Sequence, residues 1–490
     1  MSKPLLCVTV SAPTTADLRR QRDEATDADL VELRLDSVAD PNVAGALAGR
    51  RGPVIVTCRP TWEGGAFKGS EEERHRLLAD AMSLGAEYVD LEWKAHWDDL
   101  LGQRGGQGVV LSMHDFEGVP ADLPSRLRAM RSTGAEVVKI AVQQTCLADC
   151  VTLFELGVQT GRHGSLVLLG MGDYGLPTRV LAGRFGSVWT YAGSQRGVGQ
   201  LTVQSLLKDY HFRTIGDSTG IYGIVGGSVA HSVSPAMHNA AFRAARLDAV
   251  YLPLPAVSAD DFMAFGRAIG ISGASVTIPH KVALFDRLDE VYSVARRIGA
   301  INTIRVEDGR WVGGNTDAIG FLEPLQGRLM LKGLRASVLG AGGAARAVAV
   351  ALASSECTVR LHARHKARAE EVAMLTGSGV GPWPPEPGSW DVLINCTPIG
   401  QYPHADETPV HAAELTGRFV YDLVYNPTMT RLLREAGEAG CTTIGGLEML
   451  VAQAQEQFQW WSGTRAPAGV MREAALKRLA EFARDENHVI

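Results

Sequence analysis

The chain has 490 residues, with 48 Lys plus Arg against 54 Asp plus Glu, a formal net charge of −6, 46% hydrophobic and 21% charged residues. Such a length exceeds one small binding module and suits about three domains with cores of their own. The charge balance offers no basic surface for nucleic acid, and the composition belongs to a soluble globular chain rather than a disordered or fibrous one.

Taken in order, Met1 to Pro13 holds a short apolar run behind Lys3 that reads as a first buried strand rather than a signal peptide. Seven further β-rich runs follow that first one, LLCVTV from Leu5: LVELRLD from Leu30, PVIVTCR from Pro53, YVDLEW from Tyr88, VVLSMHDF from Val109, VVKIAV from Val137, LVLLGM from Leu166 and VWTYAG from Val188. The gaps hold crossover helices, signalled by Ser70 before the charged Glu71 to Arg76 turn and by the amphipathic Leu123 to Met130. Eight repeats of strand then helix predict a compact (β/α)8 TIM barrel. After Phe212 a polar stretch with Gly216, Asp217 and Gly220 marks a boundary, and IYGIVGG opens a second alternation of strands and helices. ASVLGAGGAARAVAVALA from Ala336 then supplies a strand, a glycine turn and a helix, the order of a nucleotide-binding lobe. Final helices are expected near Gly446 to Ser462 and Ala468 to Arg484.

The seven cysteines are odd in number and form no CxxC pair, which suits a reducing compartment and points to neither a disulfide framework nor a metal site. No apolar stretch reaches the ~18 residues of a membrane span, because Arg346 interrupts the best candidate. A cytoplasmic protein with no membrane partner is expected. Glycine is the outlier, 54 of 490 residues or about 11% against the usual ~7%, and calls for many turns or close backbone approaches to ligand.

Glu32, Arg34 and Asp36 alternate with leucines, which sets three charges on one strand face, as an internal ion-pair layer or as a ligand site. Arg59, Glu92, His114, Lys139 and Met171 also fall toward the C-terminal ends of their strands, where barrel enzymes carry their chemistry. A lysine inside VVKIAV is costly to bury unless its amine is neutral or tightly paired. Cationic neighbours would favour the neutral, nucleophilic amine that Schiff-base chemistry needs. His114 supplies a proton shuttle suited to neutral pH.

From Leu5 to Phe212 these residues resemble the type I 3-dehydroquinate dehydratases. The resemblance implies substrate-binding Glu32 and Arg34, Arg59 of Thr57-Cys58-Arg59, and Glu63 before Gly64-Gly65 as the group orienting the imidazole. It further implies general acid/base His114 in Ser112-Met113-His114-Asp115-Phe116, Schiff-base Lys139, the carboxylate clamp Arg179 and the closing-loop Gln200. Where the family shows Ser-Ala-Pro-Gly-Gln, this chain has Arg196-Gly197-Val198-Gly199-Gln200. The implied reaction dehydrates 3-dehydroquinate to 3-dehydroshikimate through an imine on Lys139.

In the second half, Gly340-Ala341-Gly342-Gly343-Ala344 lies between strand and helix, where bare amides and a helix N-terminus receive a pyrophosphate. The next strand, CTVRLHAR, ends at Arg364, with Arg368 one helical turn on, and these cations favour a 2′-phosphate and hence NADP. Ser232-Val233-Ser234-Pro235, Ser275 to Lys281, Gly299 to Thr303 and Gly314 to Asp317 complete a set that resembles shikimate dehydrogenase from Gly220 to the C-terminal region. That resemblance implies Ser232 and Ser234 on the substrate carboxylate and Thr277, Asn302, Asn315 and Gln453 on ring hydroxyls, with Tyr425 closing the pocket. Lys281 and Asp317 are the implied acid/base pair, and Thr397, Leu423 and Gly446 line the cofactor cleft. Two departures stand out: Ala363-Arg364-His365 replaces the family's Asn-Arg-Thr, and Ser275 replaces a common Asn.

The expectation is a bifunctional 3-dehydroquinate dehydratase and shikimate dehydrogenase in the plant-like order, acting on 3-dehydroquinate, 3-dehydroshikimate and shikimate with NADP. Its expected parts are a dehydratase barrel over residues 1–213, a shikimate-binding lobe over 220–322 and 447–490, and a Rossmann NADP-binding lobe over 323–446. The alternatives are a quinate or shikimate catabolic fusion using NAD and an inactive metabolite sensor. The four expected reactive groups, Lys139, His114, Lys281 and Asp317, weigh against the sensor.

Overall fold

A computed structural model describes residues 3–160, 164–193 and 199–486. By compactness the chain forms two units, one of Met1–Thr219 with Leu254–Gly270 and one of Gly220–Pro253 with Ile271–Ile490. Among the described residues no helix is long and apolar enough to cross a membrane.

In the first unit all eight expected runs form strands: β1 (Leu5–Ser11), β2 (Leu30–Arg34), β3 (Val54–Thr57), β4 (Tyr88–Glu92), β5 (Val109–Asp115), β6 (Val137–Gln143), β7 (Ser165–Met171) and β8 (Trp189–Ala192). Seven helices connect them: α1 (Thr15–Glu24), α2 (Val43–Leu47), α3 (Glu71–Ser83), α4 (Asp98–Gln103), α5 (Leu123–Ser132), α6 (Asp149–Thr160) and α7 (Leu176–Val180). Local signals account for these helices. Ser70 caps α3 by accepting from the Glu73 amide at 3.1 Å, three glutamates sit in its positive first turn, and α5 buries Leu123, Leu127 and Met130.

The strands lie in the order β7-β6-β5-β4-β3-β2-β1-β8, a parallel barrel. Its seam is lighter than its other edges. β7 meets the residues before β8 through the Val188 amide on the Leu166 carbonyl, 2.8 Å, and the Leu168 amide on buried Ser187 Oγ, 2.9 Å. Cys7, Ile55, Val110, Val167 and Trp189 are among the apolar side chains of the barrel core.

Two expectations change here. β2 stops at Arg34 and Leu35–Ser37 form a 3₁₀ turn, so Asp36 leaves the strand and its shared face. Among the described residues after β8 the expected eighth helix is a single wide turn at Ser205–Asp209 that buries Leu206, with Tyr210 and Phe212 buried just beyond it. Those three side chains cover apolar surface without a full helix.

The second unit holds two six-stranded sheets. The first comprises β9 (Gly220–Gly226), β10 (Ala249–Pro255), β11 (Gly273–Val276), β12 (Glu290–Val291), β13 (Thr303–Glu307) and β14 (Arg310–Gly314), in the mixed order β10-β9-β11-β13-β14-β12. Its helices are α8 (Ser234–Ala244), α9 (Ala259–Ile269, grouped with the first unit), α10 (His280–Ala283), α11 (Ser293–Ile298) and α12 (Asp317–Leu322). The second sheet comprises β15 (Arg335–Leu339), β16 (Thr358–His362), β17 (Gly379–Val380), β18 (Val392–Asn395), β19 (Phe419–Asp422) and β20 (Thr442–Gly445). Helices α13 (Gly343–Ser354), α14 (Lys366–Thr376) and α15 (Arg431–Glu438) alternate with those strands, and α16 (Gly446–Ser462) and α17 (Val470–Glu486) end the described chain. The order β17-β16-β15-β18-β19-β20 is the doubly wound arrangement, whose strand order reverses between β15 and β18. α13 is buried from Ala345 to Leu352, and its one charge there, Arg346, reaches Glu371 at 2.5 Å.

Ser187→Ala would leave the Leu168 amide buried and without its acceptor, at a cost of about 1–3 kcal/mol. Urea unfolding of the barrel should show that loss, and an unchanged midpoint would mean the seam bond contributes nothing.

Candidate active sites

Side chains from β2, β5, β6, β7 and β8, with the loops after β3 and β8 and helix α7, converge on one cavity. Glu32, Arg34, Arg59, Glu63, His114, Lys139, Arg179 and Gln200 all line it, together with Phe116, Met171 and Tyr191. Arg196 lies outside the described residues.

The Lys139 ammonium sits 3.1 Å from Asp90 Oδ2, 3.4 Å from Glu32 Oε1 and 4.4 Å from the centre of the Tyr191 ring. Carboxylates therefore face the amine, which is the tightly paired of the two expected alternatives. Parallel register makes this arrangement: Glu32 stands beside Thr9 and Lys139 beside Ser112. Thr9 and Thr57 hydroxyls donate to Glu32 at 2.8 and 3.0 Å and hold its carboxylate in place. Asp90 also accepts from Ser112 Oγ at 2.6 Å and from Arg59 Nη2 at 2.9 Å. Burial pushes the Asp90 carboxyl up, but Arg59, Lys139 and Ser112 outweigh it and hold the group below the usual carboxylate range.

Arg59 donates from Nη1 to Glu92 and to Ser112, both at 2.8 Å, so a guanidinium that lines the cavity is also tied into an internal ion-pair layer. Arg34 is held bidentately by Asp36, with both contacts at 2.8 Å. Arg179 is buried, and burial lowers its guanidinium to about 10.

Glu63 Oε1 accepts from the His114 amide at 2.9 Å and meets His114 Nδ1 at 3.2 Å, while its other oxygen is buried without a hydrogen-bond partner. Burial raises the Glu63 carboxyl to about 7 against the opposing Arg59 charge. Burial, then Arg59 and Lys139, hold the His114 imidazole well below its ordinary value, so it is neutral at physiological pH. The two glycines after Glu63 are dictated by space. A Cβ on Gly64, at φ +75°, would stand 2.4 Å from the Phe116 ring, and one on Gly65 2.1 Å from the Arg59 carbonyl. The Phe116 ring so accommodated stacks beside His114, 6.2 Å between centres.

In the second unit Lys281, on α10, is closely paired with Asp317 Oδ2 at the start of α12. The other Asp317 oxygen accepts from Asn302 Nδ2 at 2.7 Å, and Asn302 Nδ2 also lies 3.3 Å from Gln453 Oε1 on α16. Asn302 Oδ1 accepts from the Thr316 amide at 2.8 Å. Asn315 bonds the backbone at both polar ends, donating to the Ala300 carbonyl and accepting from the Asp317 amide. Thr277 is half-buried just beyond β11, Ser234 opens α8, and Ser232 Oγ accepts from the Ser234 amide at 3.2 Å. Burial raises the Tyr425 phenol, with Ser232 beside it.

Two supporting residues escaped the sequence reading. Tyr251 donates to Ser275 and Ser275 to Gln457, each at 2.6 Å, and Gln457 donates to the Asn302 carbonyl at 3.1 Å. Spacing of i and i+4 from Gln453 was the available signal for Gln457.

The nucleotide turn leaves β15 at Gly340, φ +108°, and Gly343 begins α13. The helix has no side-chain N-cap and a Cβ on Gly342 would meet nothing within 4 Å, so the first-turn amides face open space that suits a pyrophosphate. A Cβ on Gly343 would lie 2.9 Å from Lys281 Cδ, which puts the reactive lysine's stem directly against the turn. Ala341 and Ala344 are half-buried within it. Arg364 and Arg368 are exposed beyond β16, and neither makes an ion pair among the described residues. Thr397 donates to Asn395 Oδ1 at 2.7 Å, the Leu423 amide donates to the Asn395 carbonyl at 3.0 Å, and a Cβ on Gly446 would strike the Leu423 carbonyl at 2.3 Å. The register of β18, β19 and β20 thus gathers those three residues at one edge.

Residues 6–217 match the family described as Type I 3-dehydroquinase, residues 224–304 the Shikimate dehydrogenase substrate binding domain, and residues 446–476 the Shikimate 5'-dehydrogenase C-terminal domain. The chain is 35% identical over 502 residues to the bifunctional 3-dehydroquinate dehydratase/shikimate dehydrogenase, chloroplastic, of Arabidopsis thaliana, covering 94% of this chain and 83% of that protein. It is 43% identical over 276 residues to the shikimate dehydrogenase (NADP(+)) of Methanothermobacter thermautotrophicus, 53% of this chain and 97% of that one. A crystal structure of shikimate dehydrogenase in complex with NADP+ superimposes with a TM-score of 0.51 at 37% identity, covering 54% of this chain and 97% of that one. The Thermus thermophilus enzyme in complex with NADP(H) and shikimate gives 0.50 at 36% identity, covering 53% and 100%.

The raised Glu63 carboxyl carries a pH signature. Near pH 4 both folded and unfolded states are largely protonated; as pH rises toward 7 the unfolded carboxyl ionises first, and stability is lost up to about pH 7. Glu63→Gln should therefore gain on the parent by about 1–3 kcal/mol between pH 4 and pH 8 in urea titrations. A difference independent of pH would reject the buried, proton-retaining carboxyl.

Proposed function

Since the chain belongs to the family of bifunctional 3-dehydroquinate dehydratase/shikimate dehydrogenases, we propose that its two reactions are carried by Lys139 with His114 and by Lys281 with Asp317. The chain is a lyase and an NADP-dependent oxidoreductase in one polypeptide. For the first reaction the carrying observation is the Lys139 amine in one cavity with the His114–Glu63 pair.

Lys139, after passing its extra proton to a neighbouring carboxylate or to water, attacks the ketone of 3-dehydroquinate, and loss of water leaves an imine. The imine acidifies the adjacent C–H bond. With His114 Nδ1 turned to Glu63 at 3.2 Å, Nε2 is the nitrogen left to accept that proton. The enamine then expels the β-hydroxyl, to which His114 returns the proton, and water leaves. Hydrolysis of the imine releases 3-dehydroshikimate and restores the amine. Arg179 and Arg34 suit the substrate carboxylate and its hydroxyls, while Glu32 holds the ammonium before attack and Gln200 closes the cavity.

For the second reaction, NADPH supplies the hydride to the carbonyl carbon when bound. The open Gly342 turn and the α13 N-terminus would hold its pyrophosphate, Arg364 and Arg368 its 2′-phosphate, and Thr397, Leu423 and Gly446 the far end of the cleft. The Lys281–Asp317 pair gives a proton to the oxygen that becomes the new hydroxyl. Asn302, Asn315, Gln453 and Thr277 orient the ring, Ser232 and Ser234 take its carboxylate, and Tyr425 covers it. The barrel corresponds to residues 1–213, the shikimate lobe to 220–322 with 447–490, and the NADP lobe to 323–446. The seven cysteines are free thiols, which supports a reducing compartment such as the cytoplasm.

Borohydride added with 3-dehydroquinate should trap a reduced adduct on Lys139, read by peptide mass, and 3-dehydroquinate plus NADPH should yield shikimate. Lys139→Ala should abolish both while still reducing 3-dehydroshikimate, and an unmodified Lys139 peptide would reject the imine. Arg364→Asp should cut the preference for NADPH over NADH by at least about tenfold, as expected when one charge-assisted phosphate contact is lost. An unchanged ratio of kcat/KM values would remove Arg364 from the 2′-phosphate site.

A further inference from the structure

Arg74 lies on α3, lines no part of the dehydratase cavity, and is fully buried. Its guanidinium lies 4.0 Å from the centre of the Trp97 ring and 5.7 Å from that of Trp62, the residue before Glu63. Nη1 is closely paired with Glu92 Oε2 and lies 3.4 Å from the Cys58 carbonyl, while Nη2 reaches Glu71 at 2.5 Å. Glu92 passes the connection inward. Its other oxygen takes Arg59 at 2.8 Å, Arg59 holds Asp90 at 2.9 Å, and Asp90 holds the Lys139 ammonium at 3.1 Å. Four ion pairs of alternating sign thus run unbroken from α3 to the Lys139 amine through buried side chains.

We propose that Arg74 is a positioning residue of the dehydratase, whose buried charge acts through Glu92, Arg59 and Asp90 to set how firmly the Lys139 ammonium is held before it can attack. The proposal rests on the reading of Lys139 as the imine-forming group. Without the Arg74 charge, Glu92 has only Arg59 as a cationic partner and draws it from Asp90, and Asp90 turns its freed charge on Lys139. The simple Coulomb effect has the same sign, since deleting a buried cation stabilises every remaining positive charge nearby. The groups facing Lys139 are the Cys7 thiol on β1, Glu32 on β2, Asp90 on β4 and Tyr191 on β8, with Arg34, Arg59 and His114 further along the same interior. Those facing Arg74 are Glu71, Glu92 and the Cys58 thiol. None of them replaces the lost cation.

The test is the pH profile of dehydratase kcat/KM in the full-length protein, with borohydride trapping at pH 6 and pH 8 and shikimate dehydrogenation as the internal control. Arg74→Met should move the acid limb about one unit toward alkaline pH, a roughly tenfold loss at pH 6 that recovers at high pH. Trapping should weaken at pH 6 and persist at pH 8. Arg74→Lys, which keeps the charge, should restore the limb, and Glu92→Gln should move it the opposite way. The double variant R74M/E92Q, with no net change in charge, should return it near the parent position. If the single variants lose rate equally at every pH, or both move the limb in one direction, Arg74 is a packing residue and the proposal falls. Should Arg74→Met not fold, Glu92→Gln and the double variant decide by the same criterion. A parent protein that traps no adduct on Lys139 would instead overturn the imine reading.

Discussion

The dehydratase half is organised around one constraint: charges taken into a barrel interior must be matched group by group, because water cannot solvate them there. Asp90 is the pivot. Its two oxygens face Arg59 and Lys139, and Ser112 donates to the same carboxylate, so the reactive amine is immobilised by a group that is itself immobilised. From it the pairing extends through Glu92 and Arg74 in one direction and through Glu32, with Thr9 and Thr57, in the other. Parallel register makes the network, since only a barrel brings residues of β2, β4, β5 and β6 to one interior level. The imidazole belongs to the same balance: Arg59 and Lys139, together with burial, keep His114 neutral and fit to accept a proton.

The dehydrogenase half meets its requirement differently. Its proposed acid/base pair, Lys281 and Asp317, is an ion pair held by the Asn302 amide. Asn302 orients Asp317, and the Tyr251–Ser275–Gln457 chain fastens the Asn302 backbone. Neutral dipoles leave a polyol ring many directional partners without fixing a net charge in the pocket. The close passage of Lys281 over Gly343, where a Cβ would meet the lysine stem, brings the Lys281–Asp317 pair up to the glycine turn.

Much of this was legible in the chain. The eight apolar runs form the eight strands, and Lys139 within VVKIAV and His114 within VVLSMHDF face one cavity, because alternation along a strand survives any tertiary context that keeps it a strand. Asp36 was misread for the complementary reason. The alternation continues in sequence, but the strand ends at Arg34, and the 3₁₀ turn swings Asp36 back to grip that arginine. The eighth helix is a similar case: among the described residues a wide turn buries Leu206, and Tyr210 and Phe212 are buried after it. Tyr251 and Arg74 carry no local pattern of their own, and their partners lie 24 and 18 residues away; Gln457 had only its helical spacing from Gln453, and the carbonyl it holds lies 155 residues away.

By itself the sequence determined the two enzymatic halves, their order and the fold of each, because strand periodicity and glycine turns are local properties. Only the tertiary structure decided which charges neutralise which. The sequence leaves Lys139 either neutral or tightly paired, and the barrel pairs it with carboxylates; it leaves the partners of Arg59 open, and the barrel ties that guanidinium to Asp90 and Glu92 at the cavity wall. The physical reason is that burial makes the energy of each charge depend on neighbours a few ångströms away, and strand register selects those neighbours from all over the chain.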